Sequence, residues 1–90
     1  MKVRFTSDFF LQYNKADVRI RNKIDDCLRI FKRNPNDMQL KNHKLKREWI
    51  GHQSINITSD WRAIYKEIKE GKEDSIAYFV ALGAHKHLYK

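Results

Sequence analysis

Ninety residues leave room for one small domain spanning 1–90 with a modest core, because a chain this short buries only about 60–65% of its unfolded surface. With 41% hydrophobic and 12% aromatic residues the material for that core is present, which excludes wholesale disorder. Lys and Arg number 19 against 11 Asp and Glu, a net charge of +8, so the expected partner is acidic: nucleic acid or an acidic protein.

Lys2 to Phe5 alternates polar and apolar residues, the period of a short opening strand, and Ser7 and Asp8 behind it are residue types that cap helices. A first helix is expected through Phe9, Phe10 and Tyr13. The clearest periodic segment comes next. Ile20, Ile24, Cys27, Leu28 and Phe31 recur at helical spacing, with Arg19, Arg21, Lys23, Asp25, Asp26 and Arg29 on the other face. Asn34-Pro35-Asn36-Asp37 ends this amphipathic helix, because the residue before a proline avoids the helical region and Asn and Asp favour turns. Cys27 is the only cysteine, so no intramolecular disulfide is possible, and its place in the apolar stripe makes it a small core residue.

Lys41 to Arg47 is lysine-rich and reads as a solvated stretch, interrupted by His43 and Leu45. From Trp49 the period changes to two. Ile55 and Ile57 mark one strand, Ile64, Tyr65 and Ile68 the next, and Ile76 to Leu82 is a nearly continuous apolar run suited to a central strand. Glu70-Gly71-Lys72-Glu73-Asp74 supplies the hairpin connection between the last two. This order makes an α+β domain, two N-terminal helices packed on one face of a mainly antiparallel sheet of about four strands. No apolar run approaches the roughly 18 residues that cross a bilayer, the basic residues are not gathered opposite one large apolar helical face, and Met1 to Phe5 lacks a signal peptide's apolar region. The expected setting is a reducing cytoplasm with no membrane partner.

Titratable and cationic groups gather at the edges of the strand-like runs: His43, then Asp60-Trp61-Arg62, then His85, His87 and Tyr89. Cutting RNA through its own 2'-hydroxyl needs a base for that proton, an acid for the leaving oxygen and a cation for the phosphorane charge. Histidine exchanges protons near neutrality, and arginine holds a phosphate bidentately without losing its charge. Successive strand residues face opposite sides of a sheet, so Asp60 and Arg62 share a face while Trp61 turns into the core. Trp61 and Trp49 therefore read as packing residues.

Three blocks carry a family resemblance: Asn42-His43-Lys44-Leu45 followed by Trp49-Ile50-Gly51, then Asp60-Trp61-Arg62-Ala63-Ile64-Tyr65-Lys66, then Leu82-Gly83-Ala84-His85-Lys86-His87-Leu88-Tyr89. In this order, on a basic chain of this length, they resemble the RelE/ParE superfamily of bacterial type II toxins, most closely the YafQ-like ribosome-dependent mRNA endonucleases. The resemblance covers nearly the whole chain. It implies a RelE-like fold, a cognate antitoxin partner, and a toxin that binds the ribosome and cuts mRNA in the A site. The cut would use the 2'-hydroxyl as nucleophile and leave a 2',3'-cyclic phosphate, with no metal and no cofactor.

The same resemblance points to His43, Asp60, His85 and Tyr89 as the catalytic set. His85 is the expected general acid, Asp60 or His43 the general base, and Tyr89 the residue that stacks on or orients a nucleotide. Arg62 is the expected charge stabiliser, and Lys44, Lys46, Arg47 and His87 are expected to meet RNA. One departure stands at Asn56, four positions before the Asp-Trp pair, where the YafQ-like pattern often carries a histidine. Asparagine orients or donates but exchanges no proton at neutral pH, which leaves His52 and His87 as nearby substitutes. The competing expectation is a non-catalytic module of the same fold, either directed at a topoisomerase like the ParE branch or an inactive antitoxin partner. The joint presence of the histidines and Asp60 favours the nuclease.

Overall fold

The opening alternation forms a strand, β1 (Lys2–Phe5), and the chain turns at once into α1 (Ser7–Lys15). Residues 1–71 and 74–89 are described by the computed structural model. Thr6 caps α1 in place of Ser7 or Asp8: its Oγ1 accepts from the Phe9 amide at 3.1 Å and donates to the Val80 carbonyl at 3.3 Å. That second bond ties the cap to the sheet, which is why the first of three adjacent capping residues is the one used. Asp8 sits in the first turn, where its charge suits the helix dipole.

Only Ala16 and Asp17 separate α1 from α2 (Val18–Arg33), and Asp17 caps α2 by accepting from the Ile20 amide at 3.0 Å. The apolar stripe of α2 goes where its spacing sends it, with Ile24 and Phe31 buried and Ile20, Cys27 and Leu28 packed against the core. Asn34 ends the helix as expected; its side chain then accepts from the Asn36 amide at 3.1 Å and starts the turn.

A 3₁₀ turn (Met38–Leu40) drops Leu40 into the core. After it come β2 (His43–Lys44), a second 3₁₀ turn (Arg47–Trp49), β3 (Gln53–Asn56), β4 (Trp61–Glu70), β5 (Asp74–Ala84) and a short α3 (His85–Leu88). The sheet has five strands in the order β1-β5-β4-β3-β2, against about four expected. The extra strand is β2, whose two residues are too few to show a period. The β2–β3, β3–β4 and β4–β5 pairings are antiparallel, whereas β1 pairs parallel to β5, so the sheet is mixed. Lys72 and Glu73 of the expected hairpin connection lie outside the described residues.

Both helices cover one face of the sheet, where Ile55, Ile57, Ala63, Tyr65, Ala77, Phe79 and Leu82 meet Phe9, Ile24 and Phe31. The register of β4 on β5 shifts between Ile64 and Tyr65, which pair with Ala81 and Phe79 and leave Val80 as the extra residue of a bulge. That single residue changes which side chains point inward, so Phe79 and Leu82, three apart, reach the same core. Ser54, Asn56 and Arg62 alternate with core residues and so face away from the helices. No helix among the described residues is long and apolar enough to cross a membrane.

Candidate active site

The face of the sheet turned away from α1 and α2 is covered at one end by α3, and three hydrogen bonds hold it there. The His85 amide donates to the Asp60 carbonyl at 2.8 Å, the Trp49 indole N–H to the Leu88 carbonyl at 3.0 Å, and the Tyr89 hydroxyl to Ser54 Oγ at 3.0 Å. Ser54 is fully buried in β3, so the Tyr89 bond satisfies a hydroxyl that water cannot reach. Leu88 packs on Gly83, at 3.6 Å from where a Cβ would stand there.

These bonds give one testable consequence at Trp49, a residue read from sequence as packing only. Trp49→Phe keeps a ring and removes the N–H. It is expected to cost about 1 kcal/mol and to let the Tyr89 amide, bonded to the His85 carbonyl at 3.0 Å, exchange with deuterium about fivefold faster. Unchanged protection of that amide would show that the indole does not hold α3.

His43, Arg62, His85 and Tyr89 line one cavity of about 440 Å³, together with Lys41, Leu45 and Asn56. His43 and His85 are exposed, so both rings are open to a ligand. The His85 ring lies 4.5 Å from that of Tyr89, inclined at 55°. His43 Nδ1 stands 2.9 Å from the Lys41 carbonyl. A carbonyl oxygen only accepts, so Nδ1 carries the proton and Nε2 of the neutral ring keeps its lone pair for a substrate. That contact depends on Lys41 standing in the left-handed backbone region, φ 48° and ψ 45°, a conformation costing roughly 1–2 kcal/mol outside glycine.

Asn42, next to His43, fixes the same segment from below. Its Nδ2 donates to the Pro35 carbonyl at 2.9 Å and to the Tyr65 hydroxyl at 2.7 Å, and the Tyr65 hydroxyl donates in turn to Gln53 Oε1. Burial pushes the Tyr65 phenol above its ordinary pKa, against the opposing pull of the Asn42 amide, so it stays a neutral donor.

The Arg62 guanidinium is partly committed to its own loop. It donates to the carbonyls of Thr58 at 2.9 Å, Trp61 at 3.0 Å and Ser59 at 3.0 Å, bracing the β3–β4 turn. These are neutral acceptors, so its charge stays at the cavity wall, with donors left over from its five. Asp60 is exposed on that turn and is not among the lining residues; its carbonyl, bonded to His85, is what it brings to the site. Trp61 packs against the core, as its strand position implies.

Lys44 lines a separate depression with His52, His87 lines another with Trp61, and Lys46 and Arg47 are exposed at the second 3₁₀ turn, outside the cavity. His52 packs edge-on against Trp49, 5.3 Å between ring centroids. Neither His52 nor His87 takes the place of a histidine at Asn56, which itself reaches the cavity. Lys41 and Leu45 entered the sequence reading only as parts of a lysine-rich stretch and a family block, and Ser54 did not enter it. Leu45 left its signal as an apolar break in a charge run, and Ser54 as a small polar residue inside an apolar strand.

The whole sequence, residues 1–90, matches the family model described as bacterial toxin of type II toxin-antitoxin system, YafQ. No curated protein matches it. Among solved structures, it is similar to a YoeB/ParE toxin from Agrobacterium tumefaciens, with TM-score 0.74 and 28% identity over 94% of this chain and 99% of that one. It is also similar to YafQ from E. coli strain BL21(DE3), with TM-score 0.71 and 22% identity over 99% and 98% of the two chains. A crystal structure of the E. coli DinJ-YafQ complex matches with TM-score 0.70 and 21% identity over the same shares.

Proposed function

Because the chain belongs to the YafQ family of type II toxins, within the RelE superfamily, we propose that it is a metal-independent endoribonuclease that cuts messenger RNA in the ribosomal A site. The observation that carries this reading is the convergence of His43, Arg62 and His85 on one cavity. Those are the three kinds of group the cleavage needs.

In this reading His43 Nε2 removes the proton from the 2'-hydroxyl, and the freed oxygen attacks the adjacent phosphorus. The bond from phosphorus to the 5'-oxygen breaks, and His85 gives that oxygen its proton. The products are a 2',3'-cyclic phosphate and a 5'-hydroxyl. Arg62 and Lys41 stabilise the extra charge on the phosphorane, and Tyr89, its ring inclined against that of His85, orients a nucleotide. His43 is the stronger candidate for the base than Asp60, because it lines the cavity with Nδ1 already on the Lys41 carbonyl, whereas Asp60 is not part of the lining. Asn56 serves as a donor there.

We read the partner as a cognate antitoxin, on the analogy of the DinJ-YafQ complex, and the net charge of +8 suits an acidic segment of it. The setting is the bacterial cytoplasm. The test is primer extension on a translated messenger with and without ribosomes. The expected result is cleavage only when ribosomes are present, with cyclic phosphate at the new 3' end. No cleavage under either condition would overturn the reading and leave a non-catalytic binding module.

A further inference from the structure

We propose that the cleft between α2 and the β3–β4 turn is a second phosphate-binding subsite, which takes the RNA backbone as it leaves the cavity of His43 and His85. The proposal rests on the nuclease reading of that cavity and extends it to where the rest of the strand goes.

The cleft, about 510 Å³, is lined by Lys23, Arg29 and Arg33 from α2 and by Lys41 opposite. Its one carboxylate, Asp26, is held by Arg29 at 2.8 Å, so it offsets that arginine and leaves the other cations to face the cleft. Lys23 to Arg33 spans about 15 Å along the helix axis, enough to string charge beside several nucleotides. The opposite wall carries Asn56, Thr58 and Ser59 beside Ile57, so polar groups able to meet sugar and phosphate oxygens face the cations of α2.

Continuity sets the direction. Lys41 and Asn56 line both the cleft and the cavity, so the two adjoin and a strand held at one is brought to the edge of the other. Lys41 then stands between the phosphate being cut and the next ones along. Contacts of Lys23, Arg33 and Lys41 to phosphates add affinity without sequence preference.

The test uses uncleavable 2'-O-methyl RNA oligonucleotides of four and ten nucleotides, binding to the wild type and to a Lys23→Gln/Arg33→Gln double variant. Both residues are exposed on α2, so the variant keeps its core, and a thermal melt checks this. The ten-mer is expected to bind the wild type about tenfold more tightly than the four-mer, and the double variant is expected to lose that advantage while binding the four-mer as before. The slope of log affinity against log salt for the ten-mer should fall by about 1.4, the value for two phosphates on a single strand.

A length advantage that survives in the double variant would overturn the subsite alone. So would a variant that keeps its RNA affinity but loses affinity for a polyglutamate peptide, since the cleft would then belong to an acidic protein. Failure of the wild type to bind either length would overturn both the subsite and the cavity reading beneath it.

Discussion

His85→Ala is expected to slow cleavage of a translated messenger by about 10²- to 10⁴-fold, the range a positioned general acid supplies, while leaving the fold intact. The ring is exposed and its contact is with the Tyr89 ring, so its removal opens no cavity in the core. What holds α3 is the His85 backbone, whose amide stays on the Asp60 carbonyl whatever the side chain. His85→Gln is the sharper variant, because glutamine can donate a hydrogen bond yet cannot hand over a proton at neutral pH. It should be as slow as the alanine variant, with thermal melts of both close to wild type. A glutamine variant within threefold of the wild-type rate would remove His85 from proton transfer and leave it a binding role.

Phe79→Ala should show the opposite pattern, losing the fold first and activity only as a result. Phe79 is 0% exposed, and its ring lies within 5.1 Å to 5.8 Å of those of Phe5, Phe9, Phe31 and Tyr65. It stands on β5, the strand bonded to both β1 and β4, so it joins the two halves of the sheet to both helices. Truncating a buried phenylalanine costs about 3–5 kcal/mol, against a total of about 5–15 kcal/mol for a domain. With a slope of about 1–3 kcal/mol per molar urea, the unfolding midpoint should fall by about 2 M. Phe79→Leu, which keeps most of the volume, should cost far less. A shift under 0.5 M for the alanine variant would mean that the aromatic cluster is not what holds the sheet to its helices.

Much of this fold was legible in the sequence because its long elements carry strong periods. The stripe Ile20, Ile24, Cys27, Leu28, Phe31 could only be a helix, and the run from Ile76 to Leu82 did become an inner strand between β1 and β4. What escaped is set by single contacts. β2 is a two-residue bridge, the Thr6 cap was chosen by a bond to Val80 seventy-four positions away, and the bulge at Val80 appears only once two strands are laid side by side. The candidate site divides along the same line. His43, Arg62, His85 and Tyr89 were found by residue chemistry and by resemblance, and they do line one cavity. Lys41 joins them because of a left-handed backbone turn, and Asp60 stays outside because it lies on the turn before β4 rather than within the strand. Neither fact is written in a local pattern.

The parallel pairing of β1 with β5 also sets the order of events at the protein's birth. Lys2 pairs opposite Ile76, so β1 waits, unpartnered, until β5 is made. Contacts this remote in sequence form late, because a long loop must close before they repay its entropy. A nascent chain halted before β5 has no strand to join β1 to β4, and it lacks His85 and Tyr89 as well. The cavity is thus completed only once β5 has joined the sheet and carried α3, with His85 and Tyr89, onto its face.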